Sequence, residues 1–330
     1  FPVLQRADVL GCFNGDDLVS QFAVYPLEMN IYNVKYPVGF VTSVCTYPEH
    51  TGHGIMKRLM IQSLTRMREN HRPFALLYPY SIPLYRRLGW EIQEPGYVRR
   101  VEWNDRQFME LHTKFAQKTH GCLYRNNLAW EEYWRWDEDD TKVAIYYSSS
   151  DEPYGYMVYL INNDIMHVKE MISLNHEAQR GLWEFIHAHD SMIDEVRGNN
   201  YYSESIAFEL DDSDIKETIR PYSMGRIIDV AEFFESYACD PDEAAAVFRF
   251  DVTDELLPWN NGSFTVRFER GKCRITDEPA EYEMGLSIAT LTTLLLGYKT
   301  AEKLYVMDRI KAEHSAVEIL DDILFHTIPY

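Results

Sequence analysis

Gly52 and Gly54 stand two apart between a β-like run, Val41-Thr42-Ser43-Val44-Cys45-Thr46, and an amphipathic stretch that opens at Ile55. The connecting loop reads Tyr47-Pro48-Glu49-His50-Thr51-Gly52-His53-Gly54. Glycine reaches positive φ and brings no Cβ into the space above the backbone. A helix that starts at Gly54 presents unpaired N–H groups and the positive end of its dipole at the same point. Together these make an anion site suited to a diphosphate. Lys57, one turn into the helix, adds a charge for a phosphate. Two nucleotide motifs fail here. A Walker A loop needs G-x-x-x-x-G-K-[ST], whereas Gly54 is followed by Ile55-Met56. A dinucleotide fingerprint needs G-x-G-x-x-G, whereas Lys57 stands where the third glycine belongs.

What remains, G-x-G behind a bulged strand, resembles the acetyl-coenzyme A loop of the GCN5-related N-acetyltransferases (GNAT). That family's loop is usually written [R/Q]-x-x-G-x-[G/A], and Glu49 here departs from its first position. Leu77 to Glu91 strengthens the resemblance, because Tyr85-Arg86-Arg87-Leu88-Gly89-Trp90 is similar to the family's Y-x-x-x-G-F helix end. In the family that tyrosine faces the thioester sulfur, so the resemblance implies that Tyr85 is a general acid for the departing thiolate. A phenol near pKa ~10 can share a proton with a thiolate near ~8.5. On its residues alone, Tyr85 reads more readily as a core tyrosine packed on Trp90.

Over its whole length the chain is similar to the enhanced intracellular survival (Eis) family of these acetyltransferases. The family's V-x-V-x-P loop appears as Val44-Cys45-Thr46-Tyr47-Pro48, running on to Gly54-Ile55. By this resemblance the coenzyme A contacts fall on Val44, Cys45 and Thr46, on Gly52, His53, Gly54, Ile55, Met56 and Lys57, and on Tyr80 with Ser81. The family's base is its own C-terminal carboxylate, here that of Tyr330. The apolar ending Phe325-His326-Thr327-Ile328-Pro329-Tyr330 agrees with a docked terminus, since chain ends are usually frayed. A tail that only packs on the core is the plain alternative. The implied fold is α/β, in the α+β sense. It has tandem GNAT-like domains, a catalytic one at 1–103 and a degenerate one at 104–228, then a sterol-carrier-protein-like domain at 229–330. The family's first strand and two helices are not found before Asp8, so part of the acceptor-lining segment is expected to precede Phe1. Trimers or hexamers are implied as well.

Other residues carry weaker readings. His50 and His53 flank the loop, but two histidines without a third ligand read as solvent-facing, and no metal is expected. Glu28 could activate the amine through water, although a solvated strand glutamate is the simpler reading. The Asp137–Asp140 run reads as an exposed helix end, and His187 and His189 as a helix surface.

The elements that must hold these residues follow from periodicity. Leu18 to Thr46 reads as strands with breaks near Pro26 and Pro37, after a Gly15-Asp16-Asp17 turn. Ile55, Leu59, Ile61, Leu64 and Met67 predict a helix from Gly54 to Arg68, and Phe74 to Tyr78 a short strand. In the second block, Trp130–Trp136 and His176–His189 read as helices. Tyr154–Ile161 and Ile165–Ile172 read as a hairpin around Asn162-Asn163-Asp164. Strand, strand, loop and helix thus recur as a possible internal duplication. The second loop, His176 to Gly181, has one glycine and is not expected to bind coenzyme A. In the third block a helix is predicted over Asp229–Tyr237, strands over Phe248–Asp254, Gly262–Arg270 and Lys272–Thr276, and apolar helices over Ser287–Leu296 and Ala301–Ile310.

Composition bounds the partners. The chain has 330 residues, 46% hydrophobic and 25% charged, which is ordinary for a globular protein. Its 32 basic and 52 acidic side chains leave a formal net charge of −20. That balance argues against nucleic acid and anionic membrane, and favours a cationic substrate. The longest apolar run, Ile288 to Tyr298, is about half a membrane span. Five scattered cysteines without CxxC spacing argue against a disulfide framework or zinc site and for a cytoplasmic setting. The reaction expected is acetyl transfer from acetyl-CoA to a primary amine (aminoglycoside, polyamine or protein lysine) by direct attack in a ternary complex. The competing reading is a non-enzymatic carrier of an apolar ligand, suggested by the two apolar helices of the third block.

Overall fold

The computed structural model describes residues 6–78, 84–85, 87–93, 106–135, 141–148, 152–199, 215–218, 223–243 and 245–329. Two compact units divide the chain: 1–94 with 221–330, and 95–220. The first begins with β1 (Asp8–Asn14), β2 (Asp17–Ile31), β3 (Val34–Thr46), α1 (Ile55–Glu69), β4 (Phe74–Leu77) and β5 (Glu91–Gln93). The second holds α2 (Arg106–Ala116), β6 (Leu123–Tyr124), α3 (Asn127–Tyr133), β7 (Lys142–Tyr147), β8 (Pro153–Asn162), β9 (Ile165–Ser173), α4 (His176–His187) and β10 (Glu195–Gly198). The first unit resumes with β11 (Ser223–Ile227), α5 (Val230–Ser236), β12 (Ala246–Thr253), β13 (Gly262–Glu269), β14 (Lys272–Ile275) and β15 (Tyr282–Ser287). It ends with α6 (Ile288–Leu295), α7 (Ala301–Val306), β16 (Ile310–Ala312) and α8 (His314–Ile323).

In the first unit the strand order is β1-β2-β3-β4-β11-β5, antiparallel except for β3 and β4, which α1 joins as a parallel pair. Gly15 at φ +63 turns β1 into β2, as its sequence predicts. Pro26 and Pro37 do not break the strands; they lie inside β2 and β3. The β1 ladder ends at Val24 and the β4 ladder begins at Val38, so neither missing N–H costs a bond to those neighbours. α1 buries Leu59, Met60, Ser63, Leu64 and Met67 against the sheet, and Ile61 packs at its margin. β11 sits between β4 and β5, although it follows the whole second unit in sequence. A second sheet of order β14-β13-β12-β15-β16 closes this unit.

α6 packs against β11 and β5. Its residues are buried all round, including Thr290, Thr292 and Thr293. Thr292 accepts the Ile227 amide at 3.1 Å and donates to the Ile288 carbonyl at 2.8 Å. The apolar character that suggested a carrier is thus that of a core helix. The next helix is shorter than predicted: α7 ends at Val306, Asp308 turns at φ +55, and Ile310 enters β16 opposite Leu286.

In the second unit the predicted hairpin is present, with Asn163 at φ +49 and Asp164 at φ +59 in a two-residue turn. The helix expected over Trp130–Trp136 is Asn127–Tyr133 instead, because Asn126 accepts the Ala129 amide at 3.0 Å and starts it earlier. Beneath it Glu170 receives both arms of Arg125, at 2.9 and 2.6 Å, and the hydroxyls of Tyr133 and Tyr156 at 3.1 and 2.7 Å. Burial works to raise the Glu170 carboxyl, but the Arg125 charge outweighs it and brings it to about 2. Burial pushes the His112 imidazole down to about 3, and the Arg125 charge adds to that.

Both groups bind protons more weakly folded than unfolded. Their stability is complete above the unfolded values and lost as pH falls toward the folded ones. For His112 the loss starts near pH 6.5 and reaches about 2 kcal/mol by pH 5. Thermal unfolding at pH 7.5 and pH 5 is expected to show a lower midpoint in acid. His112→Phe, which keeps a ring against Trp130, is expected to remove most of that difference. Equal pH dependence in both proteins would contradict the assignment.

Candidate functional site

Two local features of β3 set its backbone apart beyond Val41. Among the described residues the parallel β3–β4 ladder runs from Val38↔Phe74 to Val41↔Leu77. Just beyond it Ser43 adopts φ +49, and Ser43 with Val44 oppose Phe22 alone, between the Gln21↔Cys45 and Ala23↔Thr42 pairs. This is a β-bulge, which bends a strand and re-aims its backbone groups. Ser20 fixes the far end: its hydroxyl donates to the Cys45 carbonyl at 2.9 Å and lies 2.8 Å from the Thr46 hydroxyl. Val44 and Thr46 are half-buried there and Cys45 is exposed.

The start of α1 is unlike most other helix starts in the protein. Asn126, Asn175, Asp229, Ser287 and Thr300 each accept the amide three residues on, closing their own helices. α1 is opened by Gly54 at φ +69, with no side-chain cap; α8, opened by Glu313, also lacks one. The Gly54 carbonyl takes the Arg58 amide at 3.1 Å, the first bond of the helix. The amides of Ile55, Met56 and Lys57 precede that bond and point out of the helix end. A Cβ built on Gly52 (φ +80) or on Gly54 meets nothing within 4 Å, so the space above both is open. Arg58 reaches back to the His53 carbonyl at 3.2 Å and holds the loop. His53 and Lys57 are exposed. Open backbone amides at a helix N-terminus, with Lys57 beside them, form the kind of cradle that suits an anion such as a diphosphate.

Tyr85 belongs to the apolar core cluster against whose margin Val44, Ile55 and Met56 also pack. The Tyr85 carbonyl accepts the amides of Leu88 at 2.9 Å and Trp90 at 3.2 Å, and Gly89 takes φ +79 between them. This is a Schellman closure, which needs glycine in its left-handed position and brings the flanking side chains together. The Tyr85 and Trp90 rings accordingly meet edge-on at 6.2 Å. Tyr85 is 6% exposed, and burial pushes its phenol up. The phenol therefore keeps its proton across the physiological range.

Tyr80, Ser81, Tyr330 and Asp137–Asp140 lie outside the described residues. The tail is described to Pro329, which is buried. Tyr32 donates to the Phe325 carbonyl at 3.1 Å, and its ring lies 5.1 Å from that of Phe325. Glu28 pairs with Lys35 at 2.8 Å near the β2–β3 turn, as a solvated strand glutamate does. His187 is exposed, and His189 sits against the Phe185 carbonyl at 2.8 Å. Among the described residues no group of three or more His, Cys, Asp or Glu is placed to hold a metal, and no helix is long and apolar enough to cross a membrane. Arg226, which contacts the Tyr85 turn, was missed by sequence reasoning. An arginine inside a five-residue strand carries no local sign of its partner.

Comparison with known proteins agrees with this geometry. An acetyltransferase (GNAT) domain model matches residues 1–93, a second GNAT model matches 121–227, and a sterol carrier protein domain model matches 230–330. An uncharacterized N-acetyltransferase of Streptomyces griseus is 21% identical, covering 96% of this chain and 86% of its own. A structure from Enterococcus faecalis V583, described as a probable N-acyltransferase, superposes with TM-score 0.89 at 25% identity, over 99% of this chain and 89% of that one. Eis1 from Mycobacterium abscessus superposes with TM-score 0.82 at 20% identity, over 100% of this chain and 91% of that one. The chain is a GNAT-type N-acetyltransferase, built from two such domains and a closing sterol carrier protein domain.

Proposed function

We propose that the first domain binds acetyl-CoA at the Gly52–Lys57 cradle and transfers its acetyl group directly to a primary amine. The observation that carries this is the uncapped α1 terminus beside the end of the described β3–β4 ladder. The amides of Ile55 to Lys57 hold the diphosphate, and Tyr80 and Ser81 complete the coenzyme site. A backbone N–H near Val44 to Thr46 donates to the thioester oxygen, where negative charge develops. The amine lone pair forms the C–N bond as the C–S bond breaks. The Tyr330 carboxylate takes the amine proton and Tyr85 gives one to sulfur. Burial of Pro329, the last described residue, agrees with a docked chain end, which the first role requires, and burial of a protonated phenol supports the second. The second domain takes no part in coenzyme binding: Asn175 fills the N-terminus of α4 by accepting the Ala178 amide at 2.8 Å.

The acidic balance of the chain favours a cationic acceptor, whether aminoglycoside, polyamine or protein lysine. Thiol release from acetyl-CoA, measured with one member of each class, tests this. Amine-dependent release with at least one is expected. Release no faster than background hydrolysis with all three, while coenzyme A binds, would contradict it.

Gly54→Val forces a β-branched residue to φ +69 and puts methyl groups into the cradle. Backbone strain there costs on the order of 1–3 kcal/mol, so the acetyl-CoA KM is expected to rise about tenfold or more while kcat changes less. An unchanged KM in steady-state kinetics would place the diphosphate elsewhere.

A further inference from the structure

Arg226 sits at full burial in β11, and its guanidinium spans two domains. Nη2 pairs with Asp254, whose side chain is 1% exposed. Nη1 donates to the Leu88 carbonyl at 2.6 Å. That carbonyl belongs to the Schellman closure that shapes the Tyr85 turn. The residue before a left-handed glycine turns its carbonyl out of the helical ladder, and a buried carbonyl so placed needs a donor. Arg226 supplies a charge-assisted one. The fit is close, because a Cβ on Gly89 would lie 1.7 Å from Arg226 Nη1.

Asp254 is held just as firmly. Its Oδ1 accepts the amides of Leu256 at 3.0 Å and Leu257 at 3.1 Å, and its Oδ2 accepts Asn260 Nδ2 at 3.0 Å. These residues lie within the stretch matched by the sterol carrier protein model. A cost accompanies the arrangement, since Arg226 Nε is buried with no partner among the described residues. Buried ion pairs add little net stability over neutral packing, so what this pair supplies is geometry.

We propose that Arg226, clamped by Asp254, is a positioning residue for Tyr85, through which the sterol carrier domain sets the catalytic phenol of the first domain. This rests on the reading of Tyr85 as general acid. Displacing a catalytic group by about 1 Å can cost up to 10²-fold in rate. A purely structural pair would alter stability without acting through the phenol.

The test is a double-mutant cycle on the full chain. Arg226→Met with Asp254→Asn removes the ion pair and leaves no buried charge. In the wild-type background kcat for thiol release is expected to fall about tenfold or more. The coenzyme A dissociation constant, measured by calorimetry, is expected to stay within about threefold, because the cradle lies on α1. In a Tyr85→Phe background the same pair is expected to change kcat by less than about twofold, there being no phenol left to position. Arg226→Lys can serve one partner but lacks the fork, and is expected to fall between wild type and the paired variant. If the paired variant fails to fold, Asp254→Asn alone is read in the same cycle. Tyr85→Phe lowering kcat, with an equal effect of the pair in both backgrounds, would overturn the positioning role and leave the acid role standing. Tyr85→Phe leaving kcat unchanged would overturn the acid role itself, and the positioning role with it.

Discussion

Tyr85→Phe is expected to lower kcat about 100-fold with little change in the acetyl-CoA KM. General acids contribute about 10²–10⁴-fold. The low end applies because a thiolate, near pKa ~8.5, departs tolerably without help. The KM holds because the phenol takes no part in the diphosphate cradle. The ring remains, so its edge contact with Trp90 and the Schellman closure, which uses only backbone, survive. The unfolding midpoint should therefore barely move. Burial raises the phenol, so the wild-type rate is expected to hold through neutral pH and to fall only on the alkaline side of an ordinary tyrosine. A Tyr85→Phe enzyme with full kcat would return Tyr85 to the core.

The second large effect belongs to the chain end. Deleting Tyr330 moves the terminal carboxylate back by one residue, about 3.3 Å in an extended chain. Adding two glycines keeps the Tyr330 side chain but carries the carboxylate forward. If that carboxylate takes the amine proton, both variants lose about 10²–10⁴-fold in kcat. The tail anchor at Phe325 stays in place, and coenzyme A binding is unaffected. An extended chain with wild-type kcat would show that the tail only packs. Loss on deletion alone would point to the side chain rather than the carboxylate.

Much of the first domain was legible because its signals are local. Gly15-Asp16 and Asn163-Asp164 mark their turns by residue type, and the apolar spacing from Leu59 to Met67 marks α1. Gly52 and Gly54 mark the left-handed loop that opens α1, and Tyr85, Gly89 and Trp90 mark the closure that follows β4. What escaped depends on distant partners. The prolines of β2 and β3 looked like breaks because only the pairing of the strands in the folded sheet shows where each ladder starts and stops. β11 looked like the end of the second block, since nothing in Ser-Met-Gly-Arg-Ile says that it will enter a sheet formed far earlier in the chain. Arg226 is tolerated inside it only through Asp254 and the Leu88 carbonyl. α2 and α8 were overlooked for a different reason. Phe108, Leu111 and His112, and likewise Ala316, Val317, Leu320 and Ile323, carry a helical stripe that was there to be read.

The proposed chemistry depends on where the coenzyme's diphosphate lies. A crystal structure with coenzyme A bound measures that directly. The expected result is diphosphate oxygens about 2.7–3.2 Å from the amide nitrogens of Ile55, Met56 or Lys57, with the sulfur directed toward the Tyr85 hydroxyl. A diphosphate held at the start of α4, or anywhere off the Gly52–Lys57 loop, would contradict it.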